Sequence, residues 1–165
     1  MKTELVHLNS LLLGGVNFYG DPFSKKGGWD TENEIGKTWI RFTDYITKNP
    51  ERSYSCKKYL FYEILIYGKE TPDKGYLEVF VGEQINTAEV PLVLSTKFFP
   101  ESDYIKVTLS GQEITSDWWQ TVSAMSEYSN IEKDTSFIIQ TYDERFKGMD
   151  CLDDSVMDAY VPIKV

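Results

Sequence analysis

The sequence predicts an α+β domain in which duplicated β-α-β-β units form one curved antiparallel sheet carrying two main helices. Three observations point there. Extended apolar runs closed by Gly- or Pro-containing turns alternate with two stretches of helical spacing, in the order strand, helix, strand, strand, twice over. The two halves also agree in detail: Glu34-Ile35-x-x-x-Trp39 recurs as Glu113-Ile114-x-x-x-Trp118 at an offset of 79, and Glu78-Val79-Phe80-Val81 recurs as Asp158-Ala159-Tyr160-Val161 at an offset of 80. Two matches at nearly one offset mark an internal duplication, with pseudo-repeats of approximately 5–90 and 91–165. Finally, 165 residues with 41% hydrophobic and 15% aromatic side chains suit a single domain, 1–165, whose core is large enough to fold without disulfides or a structural metal.

The elements follow in order. Leu11 to Phe18 is a strand closed by Tyr19-Gly20-Asp21-Pro22. Asp21 to Asp30 has loop composition yet carries Phe23 and Trp29, which either cover the core edge or form a lid over a ligand. From Thr31 to Lys48, Ile35, Trp39, Phe42 and Ile46 fall at i, i+4, i+7 and i+11, one stripe of an amphipathic helix that Asn49-Pro50 stops. Tyr59 to Tyr67 and Tyr76 to Ile85 form a hairpin about a turn containing Pro72-Asp73-Lys74-Gly75. Leu92 to Phe99 and Asp103 to Leu109 are further extended runs, separated by Pro100-Glu101-Ser102. A second helix opens at Gly111, with Ile114, Trp118, Val122 and Met125 repeating the stripe. Phe137 to Tyr142 and Val156 to Val165 are the last strands, joined by an acidic connection. Neither half can bury its sheet face alone, so the halves should pair about a pseudo-two-fold axis. Helices on one face leave the other free to curve round a groove, and such a seam is where a central ligand cleft forms.

Composition excludes several classes. With 17 Lys+Arg against 26 Asp+Glu the net charge is −9, and the adjacent basic pairs are Lys25-Lys26 and Lys57-Lys58, so direct nucleic-acid binding is not expected. The run from Leu5 to Leu13 is broken by His7, Asn9 and Ser10 and ends at Gly14-Gly15, unlike a signal peptide. No stretch approaches the roughly 18–20 apolar residues of a membrane span, so a cytoplasmic protein without membrane contact is expected. Cys56 and Cys151 have neither redox nor zinc spacing, and His7 as the only histidine removes multi-histidine metal sites and a Ser-His-Asp triad unless it serves itself. Asp150, Asp153, Asp154 and Asp158 lack the order of a calcium loop, and no glycine-rich phosphate loop occurs. Neither a cofactor nor a metal is expected.

An ordered set of motifs resembles the GyrI-like small-molecule-binding superfamily, which includes the effector-binding domains of AraC-type and MerR-type transcription activators and stand-alone integron-associated effector-binding proteins. The set runs along nearly the whole chain. It comprises Leu12-Leu13-Gly14-Gly15, Ile35-x-x-x-Trp39-x-x-Phe42, Tyr76-x-Glu78-Val79-Phe80-Val81-Gly82, Phe99-Pro100-x-x-x-Tyr104, Gly111 with Trp118 or Trp119, Tyr142-Asp143-x-x-Phe146 and the terminal Asp158-x-Tyr160-Val161-Pro162-Ile163-Lys164. The resemblance implies a cleft that binds amphipathic, often cationic and aromatic compounds through stacked rings and a buried carboxylate. That carboxylate is implied two residues before the Tyr-Asp pair, where this chain has Gln140, which accepts a hydrogen bond but carries no charge.

The remaining residues offer replacements. Strand alternation sets Leu77, Val79 and Val81 under the helices, and Glu78 and Phe80 toward the groove, with Asp158 and Tyr160 doing the same in the second half. Gln140 shares its face with Tyr142, and Glu63 corresponds approximately to Gln140 in the first half. A groove with Glu78, Asp158 and Glu63 would stay anionic; the alternative is that Glu78 and Asp158 are solvated rim residues. Trp39 and Trp118 lie on the apolar stripes and suit the core, whereas Trp119 sits beside the stripe and suits a groove wall. The candidate ligand-binding residues are thus Trp39, Glu63, Glu78, Phe80, Trp119, Gln140, Tyr142 and Tyr160, with no catalytic residue assigned. The expected function is a stand-alone binder of small amphipathic, cationic aromatic compounds in transcription regulation or drug resistance, by sequestration, through a protein partner or as a homodimer. The alternative implied by the resemblance is hydrolysis of reactive cyclopropane-containing or other electrophilic compounds in the same cleft.

Overall fold

The structure, a computed structural model, describes residues 1–28, 30–57 and 59–164. Trp29, expected in a lid, lies outside the described residues, as do Lys58 and Val165. The fold is α+β. In chain order the elements are β1 (Lys2–Leu8), β2 (Leu11–Gly20), α1 (Glu34–Lys48), β3 (Phe61–Tyr67), α2 (Thr71–Lys74), β4 (Leu77–Gln84), β5 (Ser95–Phe99), β6 (Ser102–Ser110), α3 (Trp118–Ala124), β7 (Phe137–Tyr142) and β8 (Val156–Pro162). All eight strands join one antiparallel sheet in the order β1-β6-β8-β7-β3-β4-β2-β5. Its middle is the β7–β3 pair, and the strands on either side of that seam follow mirrored roles. Among the described residues, no helix is long and apolar enough to cross a membrane.

The ends of the sheet are tied together. β1 pairs with β6 from Lys2↔Thr108 to Leu8↔Ser102, and β2 pairs with β5 from Leu11↔Phe99 to Gly15↔Ser95. Paired residue numbers add to 110 in both ladders, so residues 2–15 and 95–108 form one two-stranded ribbon in a single register, bent at Asn9-Ser10 and Pro100-Glu101. Because β6 and β2 stand near opposite ends of the sheet, this ribbon rolls the sheet round on itself. The helix-free face thereby becomes an interior. Its core of Leu13, Tyr62, Ile64, Phe80, Phe99, Tyr104 and Ile139, with Val6, Phe137 and Tyr160 packed against it, draws side chains from all eight strands.

On the opposite face α1 and α3 cover the two halves. Asn33 caps α1, its side-chain oxygen accepting from Gly36 N at 3.0 Å, and Phe42 packs on Leu77, Val79 and Val81. Asn49 ends it, as expected. The second helix departs from expectation. In place of one continuous helix there is a 3-10 helix, Gly111–Thr115, a break, α3, and a second 3-10 turn at Ser126–Tyr128. Ser116 Oγ donates to Glu113 O at 2.7 Å, while the Asp117 side chain accepts from Gln120 N at 3.2 Å, so polar side chains stop one helix and cap the next. Ile114, Trp118 and Val122 are nevertheless buried on the expected side. β1, to which sequence reasoning assigned no element, is an edge strand. The strand expected from Leu92 begins at Ser95, and the terminal strand ends at Pro162.

Candidate functional site

Cross-strand partners share a face, so the sheet register assigns every candidate side chain to one side. One row runs Val16, Val81, Glu63, Gln140, Ala159 and Val107, and the next runs Asn17, Phe80, Ile64, Ile139, Tyr160 and Lys106. Val81 packs under α1, and Ala159 and Val107 pack with Trp118 and Val122, so the first row faces the helices. The second row faces the interior. The eight expected residues therefore divide: Trp39, Glu63, Gln140 and Tyr142 meet on the helix side, with Trp119 at the edge of the core there, while Glu78, Phe80 and Tyr160 lie on the other.

The expectation of a groove on the helix-free face is thereby corrected. Phe80 is wholly buried in the interior core, and Tyr160 meets Tyr104 edge-to-face there at 6.3 Å. Glu78 is paired with Lys97 at 2.8 Å and accepts from Asn17 at 3.0 Å. Asp158 is held by Arg145 at 2.6 Å and by the Thr108 hydroxyl at 2.6 Å, with Lys106 at 3.7 Å. Both carboxylates are neutralised by the protein's own cations. Trp119 stands at the edge of the helix-side core, edge-to-face with Trp118 at 6.3 Å.

The helix-side group sits on the seam. Trp39, Phe61 and Tyr67 touch the cores under both α1 and α3. Glu63 lies between them on β3 and is 4% exposed; Gln140, its partner on β7, is 7% exposed. The indole Nε1 of Trp39 donates to Glu63 Oε2 at 2.6 Å. Burial pushes the Glu63 carboxyl up to about 7, against the smaller lowering effect of the indole hydrogen bond. No Lys or Arg among the described residues forms an ion pair with it, in contrast to Glu78, Asp158 and the buried Glu83, which Arg52 grips with two nitrogens. The polar neighbours are the phenols of Tyr67 and Tyr142, both raised first by burial and then by the Glu63 charge.

Aromatic rings close the site. Tyr142 meets Trp39 edge-to-face at 5.0 Å and Phe146 at 4.9 Å, and its hydroxyl donates to Gln140 Oε1 at 2.9 Å. Sequence reasoning quoted Phe146 without choosing it, and missed Tyr67, which the two-residue alternation from Glu63 placed on the same face. Gln140 occupies the position where the resemblance implies a carboxylate. A carboxylate is present all the same, directly across the ladder, with Cβ atoms about 5 Å apart.

The same architecture recurs in solved structures. SAV2435 bound to tetraphenylphosphonium superposes with a TM-score of 0.71 at 12% identity, over 99% of this chain and 94% of that one. The EcmrR C-terminal domain gives 0.63 at 11% identity, covering 99% and 97%. A hydrolase from Listeria innocua gives 0.54 at 15%, covering 99% and 92%. At 11–15% identity the likeness is one of fold, and it is the α+β fold expected from the sequence. No family model and no curated protein matches the sequence.

Proposed function

We propose that this protein binds small amphipathic aromatic compounds, cations above all, in the helix-side crevice, with Glu63 at its floor and Trp39, Gln140 and Tyr142 around it. The observation that carries this reading is a buried carboxylate that no Lys or Arg among the described residues pairs, ringed by aromatic side chains. A buried charge normally carries a partner; here that partner is left to come from outside. The SAV2435 complex with tetraphenylphosphonium supports a lipophilic cation as its chemistry; the role we propose is that of an effector module in the cytoplasm, its output passing through sequestration, a protein partner or a second copy. Calorimetric titration with tetraphenylphosphonium tests the reading. Wild type should bind, and Glu63→Gln should lose at least about tenfold in affinity, about 1.4 kcal/mol, because the cation would then be buried with no opposite charge beside it. Equal affinity in both proteins would overturn it.

One observation favours a second reading. A buried carboxyl pushed up to about 7 by burial is suited to act as a general base on water, as hydrolysis of an electrophilic ring would require. Steady conversion of an electrophilic cyclopropane probe by wild type, abolished in Glu63→Gln, would replace binding with catalysis as the function.

A further inference from the structure

Trp39 already places in the crevice what a ligand would have to bring. It is a flat aromatic ring whose N–H is given to Glu63 Oε2 at 2.6 Å and whose edge or face meets Tyr142 at 5.0 Å. The carboxylate is 4% exposed and has no ion pair among the described residues, so a compound that displaces the indole must replace the hydrogen bond it breaks. A quaternary cation restores charge balance but donates nothing. A neutral heterocycle donates but leaves the charge uncompensated. An aromatic cation with N–H on its charged system does both, through a charge-assisted bond.

The residue opposite limits the charge. Gln140 is uncharged, and its Oε1 already accepts from the Tyr142 hydroxyl, so the seam presents one carboxylate and suits one positive charge. We propose that the crevice selects flat aromatic monocations that carry an N–H donor, and that the Trp39 indole is the internal stand-in they displace from Glu63. This deepens the binding reading above and rests on it.

Two probes with the same ring system test the selection: 9-aminoacridinium, which carries N–H donors, and 10-methylacridinium, whose ring nitrogen carries a methyl group instead. Both are titrated by fluorescence. Wild type should prefer 9-aminoacridinium by about tenfold or more, the range a charge-assisted hydrogen bond supports. In Glu63→Gln that preference should vanish, and in Trp39→Phe, where the competing N–H is gone, 9-aminoacridinium should bind tighter than to wild type. Equal affinity of the two probes for wild type would overturn the selection while leaving the binding reading in place. A preference that persists in Glu63→Gln would trace it to the bulk of the methyl group and overturn it too. Failure of both probes to bind wild type would remove both readings together.

Discussion

Glu63 is costly to the fold because it is buried and no Lys or Arg among the described residues pairs with it. In the unfolded chain such a carboxyl titrates near 4.5, and in the folded protein near 7, so between those values the folded state holds a proton that the unfolded state has released. The contribution of this group is therefore undiminished below about pH 4.5 and declines as the pH rises. At about 1.4 kcal/mol per pH unit, roughly 3 kcal/mol is lost once the pH exceeds 7. The titratable groups facing it, Tyr67 and Tyr142, have their own values raised and stay neutral throughout this range. Glu63→Gln has no such titration. Urea unfolding of both proteins at pH 4.5 and pH 8 should show the variant gaining about 3 kcal/mol on wild type between the two. A difference that does not change with pH would mean that Glu63 is solvated or paired. A bound cation supplies the missing charge, so saturating ligand should erase most of the variant's advantage at pH 8.

At the scale of elements, what could be read from the residues was whatever depends on local spacing. The stripe Ile35, Trp39, Phe42 and Ile46 specified α1, and alternation in β4 set Leu77, Val79 and Val81 beneath it. The second stripe gave the right buried face but not the break, because Thr115-Ser116-Asp117 carry capping groups that a count of apolar residues ignores. Alternation also separates Glu78 from Val79 without saying which side is closed. That depends on the ribbon of β1, β2, β5 and β6, whose pairs lie 80–106 residues apart in the chain and leave no local trace. Two glycines mark a close approach of backbone to backbone. Gly15 and Gly82 are partners across β2 and β4; a Cβ on Gly82 would lie 2.4 Å from Gly14 O, and one on Gly15 2.1 Å from Val81 O. Backbone on both sides gives the extra atom nowhere to go. Gly82→Ala should therefore lose about 1–3 kcal/mol and lower the melting temperature, whereas Gly27→Ala, with nothing within 4 Å of its Cβ, should melt like wild type. Matching melting curves for all three proteins would refute the close approach.

For the molecule as a whole, the ribbon means that the two proposed halves, approximately 5–90 and 91–165, exchange strands. Among the described residues, β1 from the first pairs only with β6 of the second, and β5 from the second pairs only with β2 of the first. The β3–β7 ladder joins them again at the centre, where Glu63 and Gln140 face each other. Neither half contains its own interior, since Leu13, Ile64 and Phe80 come from one and Phe99, Tyr104 and Ile139 from the other. The proposed ligand site is divided in the same way: the carboxylate and the indole belong to the first half, and Tyr142 and Phe146 belong to the second. A duplication built like this should not fold in pieces. Fragments 1–90 and 91–165, produced separately, should lack a cooperative thermal transition, and mixing them at equal concentration should restore near-ultraviolet dichroism as the buried aromatics pack. Recovery should depend on the concentration of both, because the two interlocked ladders form only when the chains meet. A cooperative transition in either fragment alone would show that one half holds a sufficient core, and the seam would then be an interface between independent units instead of the middle of a single sheet.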